Sequence, residues 1–373
     1  MSIGGDGVAR IPVLDRTVVV FIPKSAPQDE LKIKISKVEK SFLFGEIVQI
    51  IKPSSHRREP PCPVAFECGG CSWQQFSESE QIRQKELLLK ELFQKFLPQV
   101  QYDLAPTVVS NQVFEYRNRI QVKHLHTDLG YFKSNSHEIV PITDCPIAEA
   151  PIRAKIAELS RTLKPTADLK KYEIKINQDG QVEHYDIGSF GEGLAFSQVN
   201  NYVNQLLVEQ TLKQIQVLLP LDFSGLLTEL YAGAGNFTFA LAEIFKKMRI
   251  EAVELNHRLT HAASEIVKAK KLIKQVTFFT TKVETFAFHH PLSSEIILLD
   301  PPRSGCLPEV ITRIAEKNPE HIAYISCHPT MLGRDVALLM KISPQYQIKH
   351  LQIFDMFPQT DHFETLCILS RKL

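Results

Sequence analysis

The chain has 373 residues, 44% of them hydrophobic and 23% charged, with a formal net charge of +1. That is long enough for two or three domains and excludes disordered and fibrous classes. The near-neutral balance excludes a generally basic nucleic-acid binder, so any contact with RNA has to come from local patches.

The first residues, Met1-Ser2-Ile3-Gly4-Gly5-Asp6-Gly7, lack the basic and apolar regions of a targeting segment. No apolar run approaches the roughly 20 residues of a membrane span, so a cytoplasmic protein without membrane contact is expected. In that compartment the seven cysteines stay reduced, and close spacing points to metal binding or catalysis.

Residues 7 to 52 read as a small β-barrel, with strands over 17–22, 31–35 and 45–50. Lys32 and Lys34 alternate along the second, and with Lys37, Lys40, Lys52, Arg57 and Arg58 they form either a phosphate-contacting face or an ordinary solvated one. Next come Cys62, Cys68 and Cys71, separated by five and then two residues, with Gly69 and Gly70 allowing a tight turn. Cys145 supplies the fourth thiol, because Cys306, Cys327 and Cys367 fall in what reads as another domain. Four thiolates suit a [4Fe-4S] cluster or structural zinc, and spacing alone decides weakly between them.

Apolar residues at Ile82, Leu89, Leu92, Phe93 and Phe96 predict a core-facing helix over 78–96. From there to about residue 190 the pattern is β-rich. Tyr116-Arg117-Asn118-Arg119 within it is either an RNA clamp or the wet face of a strand.

From about residue 196, helices alternate with apolar strands, which predicts a mostly parallel sheet. The strand over 226–230 runs into Tyr231-Ala232-Gly233-Ala234-Gly235, a turn that lets backbone approach a ligand. Thr238 stands where a dinucleotide fingerprint has its third glycine, which disfavours NAD. Glu254 ends the next strand about twenty residues after the first glycine, where a carboxylate can accept ribose hydroxyls. A later strand delivers Asp300-Pro301-Pro302-Arg303-Ser304-Gly305 to the same edge, with two prolines stiffening the turn; Asp300 faces a ligand there or caps a helix.

The strand over 322–325 ends in Ser326-Cys327-His328-Pro329. A thiol at that edge is either a nucleophile or a core cysteine. Glu364, just before the last apolar strand, is either a base or an exposed strand-start acid.

Taken together, these segments resemble the S-adenosylmethionine-dependent RNA 5-methyluridine methyltransferases, specifically the iron-sulfur branch typified by the 23S ribosomal RNA enzymes. The resemblance also rests on the segments 136–147 and Phe196-Ser197-Gln198-Val199-Asn200, and it spans nearly the whole chain. It implies an α/β fold: a TRAM-like, OB-like β-barrel over 1–56, a central α+β iron-sulfur domain over 57–194 with 81–112 packing on the catalytic domain, and a Rossmann-like methyltransferase domain over 195–373. It further implies that Gln198, Tyr231, Glu254 and Asp300 line the S-adenosyl-L-methionine site. By the same resemblance Cys62, Cys68, Cys71 and Cys145 hold a [4Fe-4S] cluster that orders the RNA-binding domain, Cys327 is the nucleophile, and Glu364 is the proton acceptor.

The expected substrate is a uridine in structured RNA, with 23S ribosomal RNA first and transfer RNA second, acted on by a monomer. A catalytically silent RNA-binding assembly protein and a cytosine-5 enzyme are the alternatives. The chain departs from the family pattern at His328, usually asparagine, at Met331, usually threonine, and at Lys282, which stands where an adenine contact is often found.

Overall fold

The computed structural model describes residues 1–13, 16–177, 179–188, 198–290 and 292–372. Phe196 and Ser197, and the expected domain boundary at 194/195, lie outside these described residues.

Strands β1 (Gly7–Val13), β2 (Arg16–Ile22), β3 (Glu30–Val38) and β4 (Phe42–Lys52) make one sheet in the order β1-β2-β4-β3. The alternation in β3 turns Lys32 and Lys34 outward. Arg57 and Arg58, by contrast, do not join a basic face. Arg57 grips Asp29 through two nitrogens, and Arg58 binds Glu78 and Gln359. A guanidinium committed to a bidentate carboxylate is structural, so any phosphate-contacting face here is the lysine face alone.

Helix α1 (Glu78–Phe96) follows, then β5 (Leu104–Val108). The apolar stripe of α1 is buried at Leu88, Leu89 and Phe93, but the same helix also buries Gln81 and Lys85. Lys85 is fully buried, and its Nζ donates to Asp355 Oδ1 at 2.5 Å and to the Phe357 carbonyl at 3.2 Å. Breaking a buried pair leaves one charge unpaired in a low dielectric. Lys85→Met is therefore expected to cost about 3–5 kcal/mol of stability, read as a lower midpoint in urea, whereas a change within experimental error would show that the pair is solvated.

A second sheet, β10-β9-β6-β7-β8, is built from β6 (Arg119–His126), β7 (Asp128–Phe132), β8 (Ile139–Pro141), β9 (Thr166–Ile176) and β10 (Val182–Asp186), with α2 (Ala150–Thr162) on it. Tyr116-Arg117-Asn118-Arg119 is internal in this region and does not form an open clamp. Tyr116 is buried and its hydroxyl donates to the Pro358 carbonyl, while Arg119 pairs with the fully buried Glu173 at 2.6 Å.

The remainder runs α3 (Asn201–Leu218), β11 (Leu226–Leu230), α4 (Thr238–Ile244), β12 (Arg249–Glu254), α5 (His257–Ala269), β13 (Val276–Thr280), α6 (Val283–His289), β14 (Ile296–Leu299), α7 (Pro308–Lys317), β15 (His321–Ser326), α8 (Pro329–Ile342), β16 (Tyr346–Phe354) and β17 (Glu364–Arg371). The sheet order is β13-β12-β11-β14-β15-β17-β16-β5, parallel from β13 to β15, with β17 antiparallel to both neighbours. The strands are apolar on both faces, and a separate hydrophobic core packs on each side, as a doubly wound sheet requires. β5 pairs parallel with β16 as the outer strand. Among the described residues no helix is long and apolar enough to cross a membrane.

Candidate functional site

Parallel strands deliver their C-terminal residues to one edge, and the antiparallel β17 begins at that same edge. Leu230 pairs with both Val253 and Leu299, so Tyr231, Glu254 and Asp300 are the next residues out on three adjacent strands. Ser326 pairs with Thr365, so one step further Cys327 lies beside Glu364. Nucleophile and acid are thus 37 positions apart in the chain and neighbours in the sheet. Asp300, the glycine turn, Cys327 and Glu364 share the crevice where open α/β sheets bind ligands.

The turn is held open by its backbone. Tyr231 has φ 66°, a left-handed conformation that a non-glycine residue adopts only under surrounding constraint, and Gly233 and Gly235 have φ 56° and 90°. A Cβ on Gly233 would meet nothing within 4 Å, so the peptide faces open space. Glu254 ties this turn down: its Oε2 accepts from the Gly233 N–H at 3.0 Å and its Oε1 from the Asn256 N–H at 2.7 Å. Gln198 stands on the segment leading into α3, its carbonyl accepting from Asn118 Nδ2 at 3.1 Å. From α3, Asn204 exchanges two amide hydrogen bonds with Asn236 of the turn, which brings that segment toward the crevice.

Glu229, buried on β11, is a site residue that the sequence reading missed. Burial pushes its carboxyl up to about 8, with the nearby Asp300 adding to the effect against a 2.5 Å hydrogen bond from Thr238. An isolated acid in an apolar strand carries no motif beyond its place two residues before Tyr231.

Asp300 is half-buried at its strand tip, and removal from water raises its carboxyl to about 7. Glu364 is 3% exposed, and burial followed by the charge of Asp300 raises its carboxyl well above the ordinary range. Its Oε2 has no hydrogen-bond partner. Burial also pushes the Cys327 thiol up to about 12, with Glu364 adding to the shift and Arg303 opposing it. Arg303 acts on both groups, and its signal in the sequence is its place three residues after Asp300.

The loop carrying Asp300 and Arg303 is fastened to α8 from below. Asp335 accepts from the Tyr324 hydroxyl at 2.6 Å and from the Cys306 N–H at 2.9 Å, and Arg334 donates to the Cys306 carbonyl at 2.7 Å. Gly305 sits against this network with φ 73°; a Cβ there would lie 2.9 Å from Asp335 and 2.8 Å from Arg334, so only glycine fits. His328 is the N-cap residue of α8 and its buried Nδ1 has no partner, while Lys282 is the N-cap residue of α6.

Cys62, Cys68, Cys71 and Cys145 line one cavity together with Arg117, Tyr131 and Asp144. Among the described residues no group of three or more His, Cys, Asp or Glu side chains is arranged to hold a metal ion. Burial raises all four thiols above their ordinary value, Cys71 to about 12, and polar contacts oppose this only in part. The Gly70 N–H donates to Cys68 Sγ at 3.3 Å and the Tyr131 hydroxyl to Cys145 Sγ at 3.7 Å, while Lys24 Nζ binds the Ala65, Cys68 and Cys71 carbonyls at 2.9, 3.4 and 3.0 Å. Hydrogen bonds to sulfur and a nearby cation both stabilise negative charge on the thiolates.

This sheet order, glycine turn and set of strand-end acids define an S-adenosylmethionine-dependent methyltransferase. The family model for tRNA (uracil-5-)-methyltransferases matches residues 180–372 and that for the TRAM domain matches residues 2–48. A protein of Bdellovibrio bacteriovorus described as an RNA methyltransferase is 39% identical over 99% of this chain and 93% of its own length. One from Synechocystis, described in the same way, is 29% identical over 98% and 93%. The crystal structure of the Pyrococcus abyssi tRNA (uracil-54, C5)-methyltransferase with S-adenosyl-L-homocysteine shares the fold, with a TM-score of 0.72 at 19% identity, over 98% of this chain and all of that one. The chain belongs to the tRNA (uracil-5-)-methyltransferase family and is an RNA methyltransferase with an N-terminal TRAM domain.

Proposed function

We propose that this enzyme methylates carbon 5 of one uridine in structured RNA, with Cys327 as nucleophile and Glu364 as proton acceptor. The observation that carries the reading is the sheet register that sets Glu364 beside Cys327, on the edge that also holds Asp300 and the glycine turn. Carbon 5 of uracil is a poor nucleophile. Cys327 Sγ adds to carbon 6, which turns the ring into an enolate with a nucleophilic carbon 5. Carbon 5 then takes the methyl group that S-adenosylmethionine would supply, the C5–CH3 bond forming as the sulfonium–CH3 bond breaks to leave S-adenosylhomocysteine; Gln198, Tyr231, Glu254 and Asp300 would hold this methyl donor. Glu364 then takes the carbon 5 proton; the C–H electron pair forms the C5–C6 double bond as the C6–S bond breaks and returns the thiolate. The target base is flipped out of its stack to reach this crevice.

Cys62, Cys68, Cys71 and Cys145 would hold a [4Fe-4S] cluster in a domain over 57–194, which with the barrel over 1–56 grips the RNA around the target. Brown colour and stoichiometric iron in anaerobically purified protein test this, against zinc in a colourless one. The enzyme acts in the cytoplasm as a monomer. The thiolate segment favours 23S ribosomal RNA as substrate, whereas the name of the matching family favours transfer RNA. Mapping 5-methyluridine in both RNAs from cells with and without the gene decides between them, and tight RNA binding with no methyl transfer on any RNA would leave only the assembly-protein reading.

With the thiol near 12, the thiolate fraction at neutral pH is small and grows with pH. Single-turnover formation of the enzyme–RNA adduct should therefore rise about tenfold per pH unit from about pH 7 to 9; a flat profile would show that the bound RNA or Glu364 generates the thiolate first.

A further inference from the structure

The cysteine-bearing segment and the hairpin that delivers Glu364 are stitched together. Ser72, the residue after Cys71, donates through Oγ to Asp361 Oδ1 at 2.8 Å and accepts from the Asp361 N–H at 3.0 Å. The Gly4 N–H of the barrel donates to the other Asp361 oxygen at 2.9 Å. One residue on, the Trp73 N–H donates to the Gln359 carbonyl at 3.0 Å. Gln81 closes the ring, accepting from the Gln359 N–H at 2.9 Å and donating to the Trp73 carbonyl at 2.9 Å. Gln359 is fully buried at φ 70°, a conformation that persists in a non-glycine residue only when its neighbours over-determine it. On the other side, Lys24 and Gln74 tie the cysteine segment itself through the Cys71 carbonyl and the Cys62 N–H.

We infer that Ser72, Asp361 and Gln359 are positioning residues for the base: the segment that carries Cys71 holds the 355–363 hairpin loop, and through it the carboxylate of Glu364. Glu364 starts β17 three residues after Asp361, and its unpartnered Oε2 has no hydrogen bond of its own to orient it. Packing of the loop therefore aims it. The cysteine site then has a second task besides shaping an RNA-binding surface, because whatever anchors Cys71 also anchors the base. The inference rests on the assignments above of Cys327, of Glu364 and of the [4Fe-4S] cluster.

The test uses the full-length, anaerobically purified protein with an RNA that it methylates, in single turnover, with adduct formation and decay followed on denaturing gels. Ser72→Ala should keep the parent's iron content and form the adduct within about twofold of the parent's rate, yet release it about tenfold more slowly, as expected for losing a pair of hydrogen bonds, one to a carboxylate. Ser72→Thr, which keeps the hydroxyl, should restore release. Hydrogen exchange over residues 355–363 should quicken in Ser72→Ala and also in parent protein stripped of iron by a chelator. Unchanged adduct decay in Ser72→Ala, or unchanged exchange after iron removal, overturns the inference. Should Ser72→Ala lose its iron, Asp361→Asn decides from the other side of the contact: slow decay with iron retained supports the link, and normal decay overturns it. A parent enzyme that forms no adduct would instead overturn the assignment of Cys327.

Discussion

Cys327→Ser is expected to abolish methyl transfer, lowering the single-turnover rate by at least about 10⁴-fold, in line with removal of a covalent nucleophile. S-adenosylmethionine affinity should stay within about twofold, because three of the four residues proposed to hold it, Tyr231, Glu254 and Asp300, stand at the ends of β11, β12 and β14, whose register does not depend on the thiol. The two halves of the result matter together. Lost transfer with intact cofactor binding marks a group that acts only after substrates are bound, whereas loss of both would mean that the thiol is part of the core. Cys306 and Cys367, each almost fully buried, are the internal controls. Replacing either with alanine should cost stability through the cavity left behind and leave the adduct chemistry intact.

Glu364→Gln should separate the two halves of the reaction. Addition at carbon 6 and methyl transfer need the thiolate; removal of the carbon 5 proton needs the carboxylate. Turnover is expected to fall by about 10²–10⁴-fold, while a methylated adduct with ordinary uridine RNA accumulates because elimination has no base. The same substitution should raise the unfolding midpoint at neutral pH. Burial holds the Glu364 carboxyl above its value in the unfolded chain. The folded state then binds the extra proton, so stability falls as pH rises from the ordinary carboxylate value through the raised one. A neutral amide removes that cost. Asp300, raised to about 7, should behave likewise, with its destabilising effect fully developed above neutral pH. A midpoint that drops in Glu364→Gln would show that the carboxylate is held by favourable contacts.

What the sequence makes legible is whatever has a local period or a strand end. The helix over 78–96, the parallel strands and the edge positions of Tyr231, Glu254, Asp300 and Cys327 all follow from apolar runs that stop at glycine, acid or proline. Their convergence with Glu364 is a matter of strand order, and it becomes visible only when β17 inserts antiparallel between β15 and β16. The partners of charged residues are not legible in this way. Arg57 and Arg58 stand in the sequence beside exposed lysines, yet bind Asp29, Glu78 and Gln359. Nothing near Lys85 in the sequence points to its partner Asp355, 270 residues later. The left-handed Gln359 and the Ser72–Asp361 exchange likewise depend on two segments that share no pattern.

A covalent bond between Cys327 and the target base is the step on which the proposed methyl transfer depends. Incubation with S-adenosylmethionine and RNA carrying 5-fluorouridine, whose fluorine cannot be removed as a proton, should trap that bond. Digestion and mass spectrometry should then place the nucleotide on the peptide containing Cys327, with no adduct in Cys327→Ala. An adduct mapped to another cysteine, or one that persists in Cys327→Ala, would contradict the assignment.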